Sequence, residues 1–171
     1  MTKPEILNKP KLSLMTEFTK NLLQVNLADL KEEYKLHKRE VGEAAGTQSD
    51  WHDNAAFDEA NRLVDVTSGQ ISEIEQKLRN VQIITPREDI TSVDIGNTVI
   101  IKFAAETDNE TFTILGPDDS RRKPGWISYS SELAQGILGK KAGDIAEYSS
   151  MDVKKTLTHT VKIIEIQRGN F

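Results

Sequence analysis

Apolar residues in the first half of the chain recur with a helical period. Leu23, Leu27, Leu30, Tyr34, His37, Val41 and Ala44 step alternately by four and three, a heptad seam with one polar member, His37. Polar residues at Gly46-Thr47-Gln48-Ser49 interrupt it. The same rhythm then resumes in Ala60, Val64, Thr67, Ile71, Ile74, Leu78 and Val81. Two helices with matching seams, joined by a short polar stretch, predict an antiparallel hairpin. Leu30 and Tyr34 are expected opposite residues near Ile71 and Thr67. Arms of about 30 residues would reach roughly 45 Å at 1.5 Å per residue. The seam is narrow, with Thr, His and Ala in it, and so buries little. Upstream, Met15, Phe18, Leu22 and Val25 form a stripe in a shifted register, within a helical pattern that begins near Ser13.

The texture changes near Thr85-Pro86, where β-branched alternation and Gly, Pro and Asp turns take over. Val99–Phe103, Thr111–Leu115 and Trp126–Tyr129 read as strands, the second ended by Gly116-Pro117-Asp118-Asp119. Ser130 or Ser131 can N-cap a short helix from Glu132 to Leu138, closed by Gly139. Gly143-Asp144 turns into Ile145–Tyr148, and residues 158–165 alternate as a final strand. Four or five strands with one short helix make a small α+β domain. The chain therefore divides into a loose leader (1–11), a coiled-coil hairpin (12–84) and a second domain (85–171).

Charge narrows the function classes. With 22 Lys and Arg against 27 Asp and Glu, the net charge of −5 excludes a broadly basic nucleic-acid coat. No apolar run approaches the roughly 18 residues of a membrane span, and no apolar signal core follows the first residues. The absence of cysteine removes disulfides, thiolate metal sites and Cys nucleophiles, and fits the cytoplasm. No G-x-S-x-G, G-x-G-x-x-G or Walker A motif occurs. Arg121-Arg122-Lys123 is a small basic cluster in a turn, either a solvated loop or a contact for an acidic partner or RNA phosphate.

The stretch between the two seams carries the chemistry: Ser49-Asp50-Trp51-His52-Asp53-Asn54 (the tip, 49–54). From Glu40 to Asp65 there are seven acids against Arg62 alone, a net −6. Asp50 and Asp53 stand three apart, so their carboxylates can converge on a hard cation such as Mg²⁺. They are too few for an all-protein cage, and suit a site completed by another molecule. An N-cap at Asp50 with Asp53 facing the helix dipole fits the same pattern, but leaves Trp51 unexplained. A tip that docks would explain it. His52 sits beside both carboxylates, yet His37 lies on the seam and His159 in a strand, so no three-ligand zinc constellation is apparent.

On these residues the chain resembles the Gre (GreA/GreB) family of bacterial transcript cleavage factors over nearly its whole length. That family's tip runs roughly G-D-x-x-E-N-A-x-Y, and residues 49–57 here read S-D-W-H-D-N-A-A-F. Residues 71–84 look like the family's second helix and its exit. Residues 127–144 look like its I-S-x-x-S-P-x-A-x-x-L-x-G-K-x-x-G-D segment, with Glu132 in place of Pro. The resemblance implies a helical hairpin followed by an FKBP-like domain, an α+β protein acting as a monomeric partner of core RNA polymerase rather than as an enzyme itself. The hairpin would enter the polymerase secondary channel. Asp50 and Asp53 would help hold a shared Mg²⁺, with Asn54, Trp51 and His52 supporting, so that the polymerase cleaves the 3′ end of its own backtracked RNA. Ser130, Ser131, Leu133, Ile137, Gly139, Lys140 and Asp144 would lie in the docking segment. Asp53 replaces the family's Glu and shortens reach by one methylene, and a misplacement of about 1 Å can cost on the order of 100-fold. Two other readings follow: a channel-binding regulator that inhibits without stimulating cleavage, and a peptidyl-prolyl isomerase or chaperone resting on the FKBP-like domain.

Overall fold

The computed structural model describes residues 12–46, 55–104, 106–152 and 155–171. The leader and the tip residues Ser49, Asp50, Trp51, His52, Asp53 and Asn54 lie outside the described residues. By contacts the described residues form two units, one of residues 12, 20–46 and 55–81, the other of 13–19 and those from 82 onward.

The first unit is built from α1 (Glu17–Gly46) and α2 (Ala55–Arg79), helices of 30 and 25 residues. All seven predicted seam positions of α1 are half-buried, while every other residue from 21 to 45 is exposed. On α2, Ala60, Thr67 and Ile74 are buried and the remaining seam positions half-buried. The heptad thus selects the contacting face. Two contacts fix its register. Lys31 Nζ meets Glu75 Oε1 at 2.7 Å, and His37 Nδ1 lies 3.2 Å from Thr67 Oγ1. These rungs bracket Tyr34 and set Ile71 beside it rather than beside Leu30, about one helical turn from the expected pairing. The Thr67 hydroxyl also donates to the Leu63 carbonyl at 2.8 Å, so this rung is tied back to its own helix.

The pattern read as helical from Ser13 is a strand, β1 (Ser13–Met15), paired with β2 (Val81–Ile83). The Ile84 N–H donates to the Met15 carbonyl at 2.9 Å. Met15 is fully buried, while Phe18, Leu22 and Val25, its partners in the shifted stripe, are exposed. Leu14-Met15 is an apolar pair too short to show a period, and a tertiary partner decides its state.

The second unit is a five-stranded sheet in the order β5-β4-β3-β7-β6 with one short helix. Its strands are β3 (Asn97–Phe103), β4 (Asn109–Leu115), β5 (Trp126–Ser128), β6 (Ile145–Asp152) and β7 (Lys155–Arg168). Neighbours run antiparallel except β4 and β5. The helix α3 is Glu132–Ile137. Val99 and Ile101 of β3, Ile114 of β4, Val161 and Ile163 of β7, and Ala134 and Ile137 of α3 form one apolar cluster. Alternate strand positions supply it, as a sheet covered on one face requires. Gly136 lets α3 press on β6: a Cβ there would stand 2.9 Å from the Tyr148 Cβ. Trp126, the first residue of β5, is half-buried and meets Phe171 edge-on at 6.3 Å between ring centroids.

Candidate functional site

The segment that carries the predicted metal-binding acids, 47–54, joins the C-terminal end of α1 to the N-terminal end of α2. The described charged residues that flank it in sequence are mostly acidic. Arg62, the only cation between residues 40 and 65, donates Nε and Nη2 to the two carboxylate oxygens of Glu59 at 2.8 and 2.7 Å. Those hydrogen bonds, then the guanidinium charge, hold the Glu59 carboxyl below its usual range. Arg62 is therefore committed to a neighbour one helical turn away. Asp58 stands in the first turn of α2, where an acid complements the helix dipole. Among the described residues, no group of three or more His, Cys, Asp or Glu is placed to hold a metal ion.

In the second unit the predicted docking segment separates into distinct roles. Ser131 N-caps α3, its Oγ accepting the Ala134 N–H at 3.3 Å and donating to the Ser128 carbonyl at 2.8 Å. Ile137 is fully buried in the apolar cluster. Gly139 turns the chain at φ +78°, and Asp144 closes the next turn by accepting the Lys141 N–H at 2.8 Å. Ser130 and Lys140 are exposed and Leu133 half-buried, so these three present side chains for contact.

Sequence reasoning missed a buried carboxylate. Asp119 is fully buried, yet it accepts the Thr16 hydroxyl at 2.6 Å, the Thr16 N–H at 3.1 Å and the Gly116 N–H at 3.3 Å. Thr16 Oγ1 in turn accepts the Thr19 N–H at 3.2 Å, which caps the first turn of α1. Asp119 thus holds the residue on which that turn starts. Gly116 has to be glycine at this junction, because a Cβ would stand 1.9 Å from the Leu14 carbonyl oxygen. The only sequence signal was the Gly-Pro-Asp-Asp turn itself, which gives no hint of a partner 103 residues away.

A second missed group lies on β6 and β7. Tyr148 stacks on His159 with ring centroids 4.8 Å apart, and His159 Nε2 lies 2.8 Å from Ser150 Oγ. Partial burial, then the charges of Glu110, Glu106 and Glu132, push the Tyr148 phenol up. The Glu110 carboxyl is also raised, by desolvation first and then by its hydrogen bond to Glu106 and the charge there.

Residues 86–168 match the family described as "Transcription elongation factor, GreA/GreB, C-term". The transcription elongation factor GreA of Streptococcus uberis is 32% identical over 157 residues, which span 90% of this chain and 94% of that one. The same factor of Acholeplasma laidlawii is 30% identical over 142 residues, 83% of this chain and 90% of that one. The solved structure of GreA factor homolog 1 of Thermus thermophilus covers 90% of this chain and 97% of its own, at 15% identity and a TM-score of 0.39, a likeness too distant to bear on activity. The chain belongs to the GreA/GreB family of transcription elongation factors.

Proposed function

We propose that this elongation factor acts on core RNA polymerase as a cytoplasmic monomer, places its hairpin in the secondary channel, and stimulates Mg²⁺-dependent cleavage of the 3′ end of backtracked RNA. It is not itself the nuclease. The observation that carries this reading is the pairing of a long two-helix arm with an acidic connection. The seam is fixed by Lys31–Glu75 and His37–Thr67, and the stretch of sequence that joins its two helices contains Asp50 and Asp53. Arg62, the one Lys or Arg between residues 40 and 65, is already paired with Glu59.

Two carboxylates supply hard oxygen donors of the kind Mg²⁺ takes, and leave most of its coordination to water, phosphate or another protein. Bound Mg²⁺ would lower the pKa of a water and neutralise charge on the phosphate under attack. Asp50 and Asp53 would hold it jointly with the polymerase, and Asn54, Trp51 and His52 would set the tip's shape. The exposed Ser130 and Lys140 of the docking segment, with the half-buried Leu133, would lie at or near the polymerase contact. The test is RNA cleavage by a stalled, backtracked polymerase with and without the protein. Faster 3′ cleavage supports the reading. Unchanged cleavage together with slowed nucleotide addition would instead favour an inhibitory channel-binding regulator.

A further inference from the structure

The basic cluster singled out in the sequence finds no role in the hairpin chemistry. Arg121, Arg122 and Lys123 lie in the loop between β4 and β5. Among the described residues none of the three forms an ion pair, whereas Arg62, Arg87, Arg168, Lys31, Lys35 and Lys77 each meet a carboxylate. Asp119, two residues before Arg121, is turned inward to Thr16 and Gly116 and does not offset the cluster. The loop is wound by its own backbone. The Arg122 N–H donates to the Asp119 carbonyl at 3.0 Å, the Trp126 N–H to the Lys123 carbonyl at 3.2 Å, and the Thr113 N–H to the Gly125 carbonyl at 2.8 Å. The backbone that carries the three cations is thus preorganised, which lowers the ordering cost of binding.

Two further features choose the partner. Arg122 Nε is buried and bonded to nothing among the described residues. Buried donors are ordinarily satisfied, and the edge of a guanidinium that includes Nε is the fork that takes a carboxylate with two parallel bonds. Trp126, the aromatic beside the cluster, is already engaged: Lys123 Nζ sits 4.9 Å over its ring and Phe171 meets it edge-on. It offers no open platform of the sort on which single-stranded nucleic acid stacks. Neutralising about three phosphates on a chain of net charge −5 would also hold nucleic acid only weakly at physiological salt.

We infer that the Arg121-Arg122-Lys123 loop is a docking contact for an acidic protein surface and, resting on the proposed function, that this surface belongs to RNA polymerase. The partner's carboxylates would pair with Arg121 and Arg122 as the Arg122 side chain turns out to meet them, while Lys123 remains packed on Trp126.

The test is equilibrium binding of the full chain to core polymerase free of nucleic acid, at about 50 mM and about 300 mM salt. The Arg121→Glu/Arg122→Glu variant should bind at least about tenfold more weakly at low salt, with the gap narrowing at high salt. Arg121→Gln alone, at an exposed position, should show a smaller loss with an unchanged melting temperature, and it decides the matter if the double variant folds poorly. Equal affinity of wild type and Arg121→Gln at low salt, alongside intact binding by the double variant, overturns the inference and leaves the proposed function standing. A loss seen only with polymerase carrying RNA and DNA makes the partner nucleic acid and also overturns it. Wild type that binds no polymerase overturns the proposed function, and this inference with it.

Discussion

Replacing Asp119 with alanine removes the acceptor for three buried donors. The Thr16 hydroxyl at 2.6 Å and the Thr16 N–H at 3.1 Å are the short contacts, and the Gly116 N–H at 3.3 Å is longer. A hydrogen bond to a charged group contributes about 1.5–3 kcal/mol, and a buried donor left unsatisfied carries its desolvation penalty. Counting the two short bonds alone, the loss comes to about 3–6 kcal/mol. For a domain near 100 residues each kcal/mol moves the melting temperature by about 4–8 °C, so the second unit should melt at least about 12 °C lower. Fluorescence of Trp126 in a Trp51→Phe background reports this unit specifically, in thermal and urea titrations. Thr16→Val removes the hydroxyl and keeps the backbone donor. Combined with Asp119→Ala it should cost little more than Asp119→Ala alone, a coupling of about 1–3 kcal/mol for a shared contact. An Asp119→Ala loss under about 1 kcal/mol, or strict additivity with Thr16→Val, would refute the assignment of Asp119 as the anchor of the first turn of α1.

Titration gives another check. The Glu110 carboxyl is raised by desolvation and by Glu106, so the folded chain binds that proton more tightly than the unfolded chain does. Stability therefore falls as pH rises from the unfolded glutamate value toward the folded one, and Glu110→Gln should abolish that fall, its melting temperature gaining on wild type between about pH 4 and 7. A wild-type advantage that grew with pH would reverse the sign and defeat the argument. The same substitution should move phenolate formation at Tyr148 to lower pH in ultraviolet titration, since the Glu110 charge opposes it. In the hairpin, a chain without native cysteine allows clean cross-linking. Tyr34→Cys with Ile71→Cys should form a disulfide faster than Leu30→Cys with Ile71→Cys, and the opposite order would restore the register expected from the seam alone.

The heptad seam identified every half-buried position from Leu23 to Ala44, because in a two-helix arm only one stripe has a partner and period alone locates it. The pairing of the two stripes was a turn out, because Leu, Tyr, Ile and Thr at successive seam positions discriminate weakly between registers. The distinguishing contacts, Lys31–Glu75 and His37–Thr67, lie partly off the apolar pattern. Short strands in the second unit were legible from β-branched runs, yet β6 and β7 continue through Ser149, Ser150 and Thr156, where polar residues hide the extended backbone. Three-residue β1 and β2 were invisible for the opposite reason: Val81 satisfied the helical seam equally well. The chemistry was legible only as composition. Asp50 and Asp53 stood out by charge and spacing. Asp119, bonded across 103 residues, and Tyr148 with His159, joined by strand pairing, have no signature in one dimension.

The central claim is that the hairpin delivers Asp50 and Asp53 as one unit to the polymerase's RNA-cleaving centre. The most direct measurement is the rate of 3′ cleavage in a backtracked complex at saturating factor, for wild type, Asp50→Asn, Asp53→Asn and the double variant. Polymerase affinity is measured in parallel. The account predicts that each single substitution lowers the stimulated rate by about 100-fold or more with affinity nearly intact, and that the double variant is little worse than either, because groups completing one site are not additive. Stimulation that survives both substitutions would contradict it.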